Sequence, residues 1–206
     1  ELQILADGKG NVSVLGERDC SMQKNHQKLI EESPSPAVSQ EMRQKMTEGA
    51  VKLFSDLNYR GAGTIEFLVS GNDFYFMEVN ARIQVEHPVS EMVSGIDIIE
   101  WMIKVAEGEK LPSQDTIRFR GHAIECRITA EDPNTFLPYP GKITQWMVPG
   151  GRNVRVDSHI YANYIVPPYY DSMIGKLIVW GRDREKAINI MKRALITVVA
   201  TIVTVV

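Results

Sequence analysis

Residues 76–88, FMEVNARIQVEHP, alternate apolar and polar side chains along their length. Met77, Val79, Ala81, Ile83 and Val85 form one set, and Glu78, Asn80, Arg82, Gln84 and Glu86 the other. An extended chain sends successive side chains to opposite faces, so this spacing predicts a strand with one apolar face and one face of charges and amides. On the pattern alone, a solvated strand face is the default reading of such a row. Glu78 and Glu86 lie about 26 Å apart in a straight strand, too far for one small ligand to touch both. Either the chain bends or the face serves two sub-sites. We expect a bend after Asn80, with Glu78 and Asn80 at a metal, Arg82 to Glu86 curled around a smaller anion, and Pro88 ending regular pairing.

The rest of the chain sets few limits on this reading. Its 206 residues suffice for one large domain or two small ones, and its hydrophobic content of 44% and charged content of 24% are those of a soluble globular protein. A net charge of −3, with no Lys/Arg run, gives no nucleic-acid footprint. Two cysteines, Cys20 and Cys126, fit a reducing compartment rather than a disulfide scaffold. The histidines at 26, 87, 122 and 159 have no zinc-site spacing. The apolar tail ALITVVATIVTVV, 194–206, is too short for a membrane helix, which needs about 20 residues. We expect the chain to be a piece cut from a longer protein at both ends.

Strands and helices alternate unevenly. LQIL and VSVL flank the turn ADGKGN, which predicts a hairpin, and residues 1–32 read as strands until SPSP stops them. Ser39 can cap a helix with an apolar stripe of Met42, Met46, Ala50, Leu53, Phe54 and Leu57. TIEFLV and FYFMEVN follow as strands around SGND. Asp97 can cap a second helix with Ile99, Met102, Ile103 and Ala106 inward, and Asp183 a third with Ala187, Ile190, Met191, Ala194 and Leu195. GEKLPSQDT, 108–116, is a boundary, beyond which HAIECRI, GKITQWMV, NVRVDSHI and GKLIVWG read as short strands. The fold class is α+β.

Glu66 and Glu78 occupy the two strands around SGND. A two-residue turn at Gly71-Asn72 puts them on opposite faces, leaving one in solvent. A three-residue loop, Gly71-Asn72-Asp73, pairs Ser70 with Phe74 and sets Glu66 directly opposite Glu78. The pair alone leaves both open. The apolar residues around it (Ile65, Phe67, Leu68, Phe74, Phe76) suggest a hairpin buried on both sides, where carboxylates need partners. Two carboxylates with the Asn80 amide are hard donors suited to Mg²⁺ held jointly with phosphates. Gln23, His26, Gln27 and Lys28 form a polar cluster that could hold hydroxyls or phosphate oxygens, although a cluster this polar beside an apolar strand is usually a surface turn.

Five blocks together are specific: ERDCSMQKNHQKLIEESPSP, YRGAGTIEFLV, FYFMEVNARIQVEHPVSEMVSGIDI, RGHAIECRITAEDP and VPPYYDSMIGKLIVWG. In this order they strongly resemble biotin carboxylase, the ATP-grasp component of acetyl-CoA carboxylase and related enzymes, from about Leu2 to Ala194. The resemblance implies the later half of an ATP-grasp core, an antiparallel sheet with helices over residues 1–112, followed by a truncated β-rich biotin carboxylase C-terminal domain over 118–206. An N-terminal nucleotide-fold domain and a lid would complete the enzyme, so the chain is expected to be inactive alone. Ala81 stands where the family often has Thr, and the tail after Leu195 departs from the family.

The implied chemistry is ATP-dependent carboxylation of biotin on a carrier protein, with bicarbonate as the carbon source, Mg²⁺ or Mn²⁺ as metal and carboxyphosphate as intermediate. Glu66, Glu78 and Asn80 would hold the metal. Gln23, His26 and Leu68 would contact the nucleotide. Lys28, Arg82, Gln84 and the backbone of Val85 would hold bicarbonate, Glu86 would be the general base, and Arg127 would stabilise the biotin enolate. Implied partners are a biotin carboxyl carrier protein, a carboxyltransferase component and a second copy bound through the C-terminal domain, with neither nucleic acid nor membrane. The compartment would be the cytoplasm, or an organelle for a precursor with a transit segment, and the pathway fatty acid biosynthesis. Another ATP-grasp ligase with a different acceptor is disfavoured by RIQVEHP and GHAIECRITAEDP. A non-catalytic scaffold is disfavoured because Lys28, Glu66, Glu78, Glu86 and Arg127 are all present.

Overall fold

The computed structural model describes residues 1–203. The chain begins with β1 (Leu2–Asp7) and β2 (Val12–Glu17), followed by β3 (Asp19–Lys24) and β4 (Gln27–Ser33). Helix α1 (Gln40–Asp56) leads to β5 (Arg60–Ser70) and β6 (Asp73–Asn80), then α2 (His87–Ser94) and α3 (Ile98–Ala106). The second half holds β7 (His122–Thr129), β8 (Gly141–Met147), β9 (Val154–Ser158), β10 (Ile165–Val166), β11 (Met173–Gly181), α4 (Arg184–Thr197) and β12 (Val199–Val203).

The first sheet has the order β2-β1-β5-β6, with every pair antiparallel. Its central strand β1 is buried at every position, because helices cover both faces. Leu2, Ile4 and Ile65 meet Met42, Met46, Ala50 and Phe54 of α1. Leu5, Leu15 and Ala62 meet Ile98 and Val105 of α3 on the other side. Gly63 admits α1 to this distance: a Cβ there would lie 2.7 Å from the Phe54 ring. Ser39 and Asp97 cap α1 and α3 by accepting from the N–H groups of Met42 and Glu100.

A five-stranded sheet, β3-β4-β7-β11-β9, crosses the 108–116 segment: β4 from the first half pairs with β7 from the second, Ile30 opposite Cys126 and Glu31 opposite Glu125. Helix α4 packs on one face through Ala187, Ile190, Met191 and Ala194, and α2 on the other through Val89 and Val93. Arg184 at the start of α4 clamps Glu32 of β4 with two bonds, at 2.7 and 3.0 Å, and His122 meets the same carboxylate at 2.6 Å. A third sheet, β10-β8-β12, completes the fold.

Several expectations change. Residues 87–94 are helical, because Pro88 sits in the first turn, where its missing N–H costs nothing; Pro88 begins a helix rather than simply ending a strand. The β5–β6 hairpin is not buried on both sides. Strand β6 is a sheet edge, and Phe76 is 61% and Leu68 58% exposed. In α3 the inward stripe is Ile98, Trp101, Met102 and Val105, while Ile99, Ile103 and Ala106 face out. IIEWMIKVA is apolar nearly all round, so its sequence admits either stripe and packing chooses. Leu57 and Leu195 are likewise exposed at the ends of their helices. The tail turns from helix to strand at Val198: its β-branched residues suit β12, which pairs with β8 and rests Ala200 and Ile202 on the core around Ile143. The last three residues of the tail lie outside the described residues. No described helix is long and apolar enough to cross a membrane.

Leu177 is fully buried in β11, an interior strand of the five-stranded sheet. Leu177→Ala is expected to cost about 2–5 kcal/mol in urea titration. The His122 and Arg184 bonds outweigh the burial of Glu32 and bring its carboxyl down to about 2. A carboxyl depressed on folding contributes stability above its unfolded pKa, and that contribution disappears as pH falls through the folded value. The stability difference between the native protein and Glu32→Gln should therefore hold steady above about pH 5 and shrink towards about pH 2 in a pH series of urea titrations.

Candidate active site

Two bulges aim the polar side chains. Between β5 and β6 the turn is the two-residue Gly71-Asn72, with Ser70 opposite Asp73, not the three-residue loop. Glu66 nevertheless faces Glu78, because Met77 is an extra residue: Phe67 pairs with Phe76 and Glu66 with Glu78. A bulge of this kind flips the face of everything beyond it. Phe74 and Phe76 stay on the α1 side, and Glu78 and Asn80 turn to the other. The second bulge lies in β4, where Gln23 pairs with Lys28 but Met22 with Ile30. It carries Lys28 onto the same face as Glu31 and Glu125.

Beyond Asn80 the strand ends and the chain bends, as expected, so that Glu86 comes back to the sheet. Glu86 is 2% exposed and lies between two cations: Lys28 Nζ donates to Oε1 at 2.8 Å and an Arg127 Nη to Oε2 at 2.9 Å. Burial favours the neutral acid, but the charges of Arg18 and Lys28 and the Lys28 hydrogen bond outweigh it, so the carboxyl is held below its usual range. Glu31 anchors Arg127 from behind, accepting from Nε at 2.7 Å. Lys28 reaches Glu66 at 3.3 Å and also meets Glu1.

Glu66 Oε1 accepts from Lys28 and, at 2.9 Å each, from the amides of Asn80 and Gln84. The Asn80 amide also reaches Glu78 at 3.3 Å. Glu66 and Glu78 thus put two carboxylates side by side at an open sheet edge, with more negative charge than the local donors balance. That donor set fits a hard divalent cation shared with phosphate oxygens. Leu68, Gln23, Lys28 and Glu66 line one cleft of about 420 Å³.

The structure brings Lys28, Glu66, Gln84, Glu86 and Arg127 into one network with Asn80 and Glu78 at its edge. Arg82 does not join Lys28; it is exposed and donates to Asn80 Oδ1 and the Ile83 carbonyl, both at 3.2 Å. Gln23 donates to the Cys20 carbonyl at 2.9 Å, and His26 stands exposed in the left-handed tip of the β3–β4 turn. The Val85 carbonyl accepts from Lys176 at 2.7 Å.

Sequence reasoning assigned no role to Arg18, Glu31, Glu125 or Lys176. Arg18 is 2% exposed, and its guanidinium donates to Gln3, Thr64, Gln84, Ser90 and Glu1, tying β1 and β5 to the 81–86 segment. A signal was available in principle, since HAIECRI and GKLIVWG each place a charge inside an apolar strand run.

The family model described as carbamoyl-phosphate synthase L chain, ATP binding domain, matches residues 1–114, and that of the biotin carboxylase C-terminal domain matches 125–206. The chain is 61% identical to the biotin carboxylase of Nostoc sp. over 198 residues, 95% of this chain and 44% of that protein. The biotin carboxylase of Campylobacter jejuni, solved as a β,γ-ATP complex, superposes with a TM-score of 0.95 at 60% identity, over 98% of this chain and 46% of that one. The biotin carboxylase domain dimer of 2-oxoglutarate carboxylase from Hydrogenobacter thermophilus, solved with MgADP, ADP and bicarbonate, gives a TM-score of 0.95 at 47% identity, over 98% of this chain and 46% of that one. The fold is that of an ATP-grasp protein. The chain belongs to the biotin carboxylase family, of which it covers the C-terminal portion, and it spans under half the length of these relatives.

Arg18→Met is expected to cost about 3–5 kcal/mol, because it leaves Gln3, Gln84 and Glu1 without their buried donor. Urea titration reads the loss, and Arg18→Lys should recover only part of it, lacking the guanidinium fork.

Proposed function

We propose that the protein carrying this chain carboxylates biotin on a carrier protein, using ATP and bicarbonate, and that this chain supplies the metal edge, the bicarbonate contacts and the base. The observation that carries the reading is the Lys28–Glu86–Arg127 chain beside the Glu66–Glu78 pair. Glu66, Glu78 and Asn80 hold Mg²⁺ or Mn²⁺, which when bound neutralises phosphate charge. Leu68 and Gln23 face the nucleotide across the cleft, with His26 at its outer turn.

Lys28, Gln84, the Val85 backbone and Arg82 hold bicarbonate, and Arg82 swings inward from its exposed position to do so. Glu86 is ionised when bicarbonate arrives and can take its remaining proton. The freed oxygen attacks the γ-phosphorus, ADP leaves, and carboxyphosphate forms. Carboxyphosphate separates into CO₂ and phosphate; phosphate takes the ureido proton of biotin, and the ureido nitrogen bonds to CO₂. Arg127 stays charged throughout and stabilises the enolate oxygen.

We further propose that residues 1–112 and 118–206 correspond to the later ATP-grasp half and the C-terminal domain, and that the protein works as a homodimer with a carrier and a carboxyltransferase. Acetyl-CoA carboxylase, in the cytoplasm or an organelle, is the reading the resemblance favours.

In the full-length protein, bicarbonate-dependent ATP cleavage should rise with free biotin. Glu86→Gln should lower it by about a hundredfold or more while nucleotide affinity holds. ATP cleavage indifferent to biotin would point to another acceptor, and absence of nucleotide binding to a scaffold.

A further inference from the structure

Behind Arg127 the five-stranded sheet holds two acidic residues that the proposed reaction does not use. Glu31 of β4 and Glu125 of β7 are cross-strand partners, so their side chains leave the same face of the sheet as neighbours. Both are 0% exposed. Glu31 uses one oxygen to accept from Arg127 Nε; its other oxygen and both oxygens of Glu125 are buried with no hydrogen-bond donor among the described residues. Three orphan carboxylate oxygens on directly opposed residues are too costly to keep as two anions. A single proton removes one of the two charges and joins two of the three oxygens, because a neutral acid is a donor to its neighbour's lone pair; what is left is one uncharged carbonyl oxygen of the acid, far cheaper to bury than an anion.

We propose that Glu31 and Glu125 share one proton, as a neutral acid hydrogen-bonded to a carboxylate, and that this pair is a positioning device for Arg127. Glu125 is the acid and Glu31 the anion. The charged groups facing the pair fit that assignment. Arg127 and Lys28 favour a charge on Glu31, Lys176 of β11 and Arg127 favour one on Glu125, and Glu86 opposes a negative charge on either. Burial raises the carboxyl of Glu31 despite Arg127, and raises that of Glu125 much further despite Lys176.

The arrangement matters because Arg127 has two carboxylate partners with different tasks. Its Nη group binds Glu86, which must release it to meet bicarbonate; its Nε binds Glu31, which need not let go. With its second oxygen occupied by the Glu125 proton, Glu31 presents one fixed oxygen and holds the guanidinium plane while the Glu86 contact exchanges. The proton-sharing stands on the geometry alone, whereas the consequence for turnover rests on the proposed biotin carboxylase reading.

Infrared difference spectra of the full-length protein at neutral pH test the shared proton independently of activity. A neutral carboxylic acid band that is lost in Glu125→Gln is expected; no such band, or one that survives this substitution, overturns the proposal. Kinetics test the positioning role. Glu125→Gln retains a donor and should keep biotin-stimulated turnover within about threefold, whereas Glu125→Leu strands the Glu31 oxygen and should lower it about tenfold or more. Nucleotide affinity, which should not change, verifies that Glu125→Leu has folded. Equal turnover in Gln and Leu variants overturns the positioning role. A wild-type protein with the band but without bicarbonate-dependent ATP cleavage overturns the functional reading and leaves the shared proton standing.

Discussion

The ion pairs that Glu86 makes with Lys28 and Arg127 are the constraint on which the site depends. Each cation comes from a different strand of the five-stranded sheet, and the carboxylate comes from a loop that has left the first sheet. Neither strand could bring an uncompensated charge into this interior, because burying a lone ion costs several kcal/mol. The three charges therefore have to be assembled together, and assembling them docks the 81–86 segment onto the second sheet. Arg18 completes the docking from the other side by holding Gln84 while it is held by β1 and β5.

This arrangement gives the proposed metal edge and the proposed anion site different electrostatic characters. Each oxygen of Glu86 is answered by a cation, Lys28 on one and Arg127 on the other. At the edge of β6, Glu66 and Glu78 lie together with mostly amide donors between them, open to solvent. In the proposed reading, an acidic rim would attract a divalent cation while Lys28 and Arg127, set further in, would serve smaller anions. The division of labour follows from where the sheet ends.

Much of this was legible in the sequence, for physical reasons that differ from residue to residue. The caps at Ser39, Asp97 and Asp183 were readable because a capping side chain satisfies its own backbone locally. The alternation in 76–86 marked the polar row, and its length alone required a bend. Face assignment was harder. Glu66 and Glu78 face each other as expected but by a different route, since a bulge at Met77 compensates for the shorter turn, and no local pattern announces a bulge. The stripe of α3 and the exposure of β6 were invisible for a related reason: they depend on which neighbour is present, and an apolar side chain reads the same beside a helix or at an edge. The buried acids escaped notice because Glu31 and Glu125 gain their meaning only from a strand pairing made across nearly a hundred residues of chain.

That pairing also bears on how the two family-model segments relate. Strand β4 is hydrogen-bonded to β7 along Ile30 to Ser33, so the boundary near residue 112 divides the sequence but not the sheet. A hinge there would have to tear backbone bonds and part Arg127 from Glu31, which ties the two halves into one slab. A chain nicked in the 108–116 segment would hold together as a non-covalent pair, annealed along one strand.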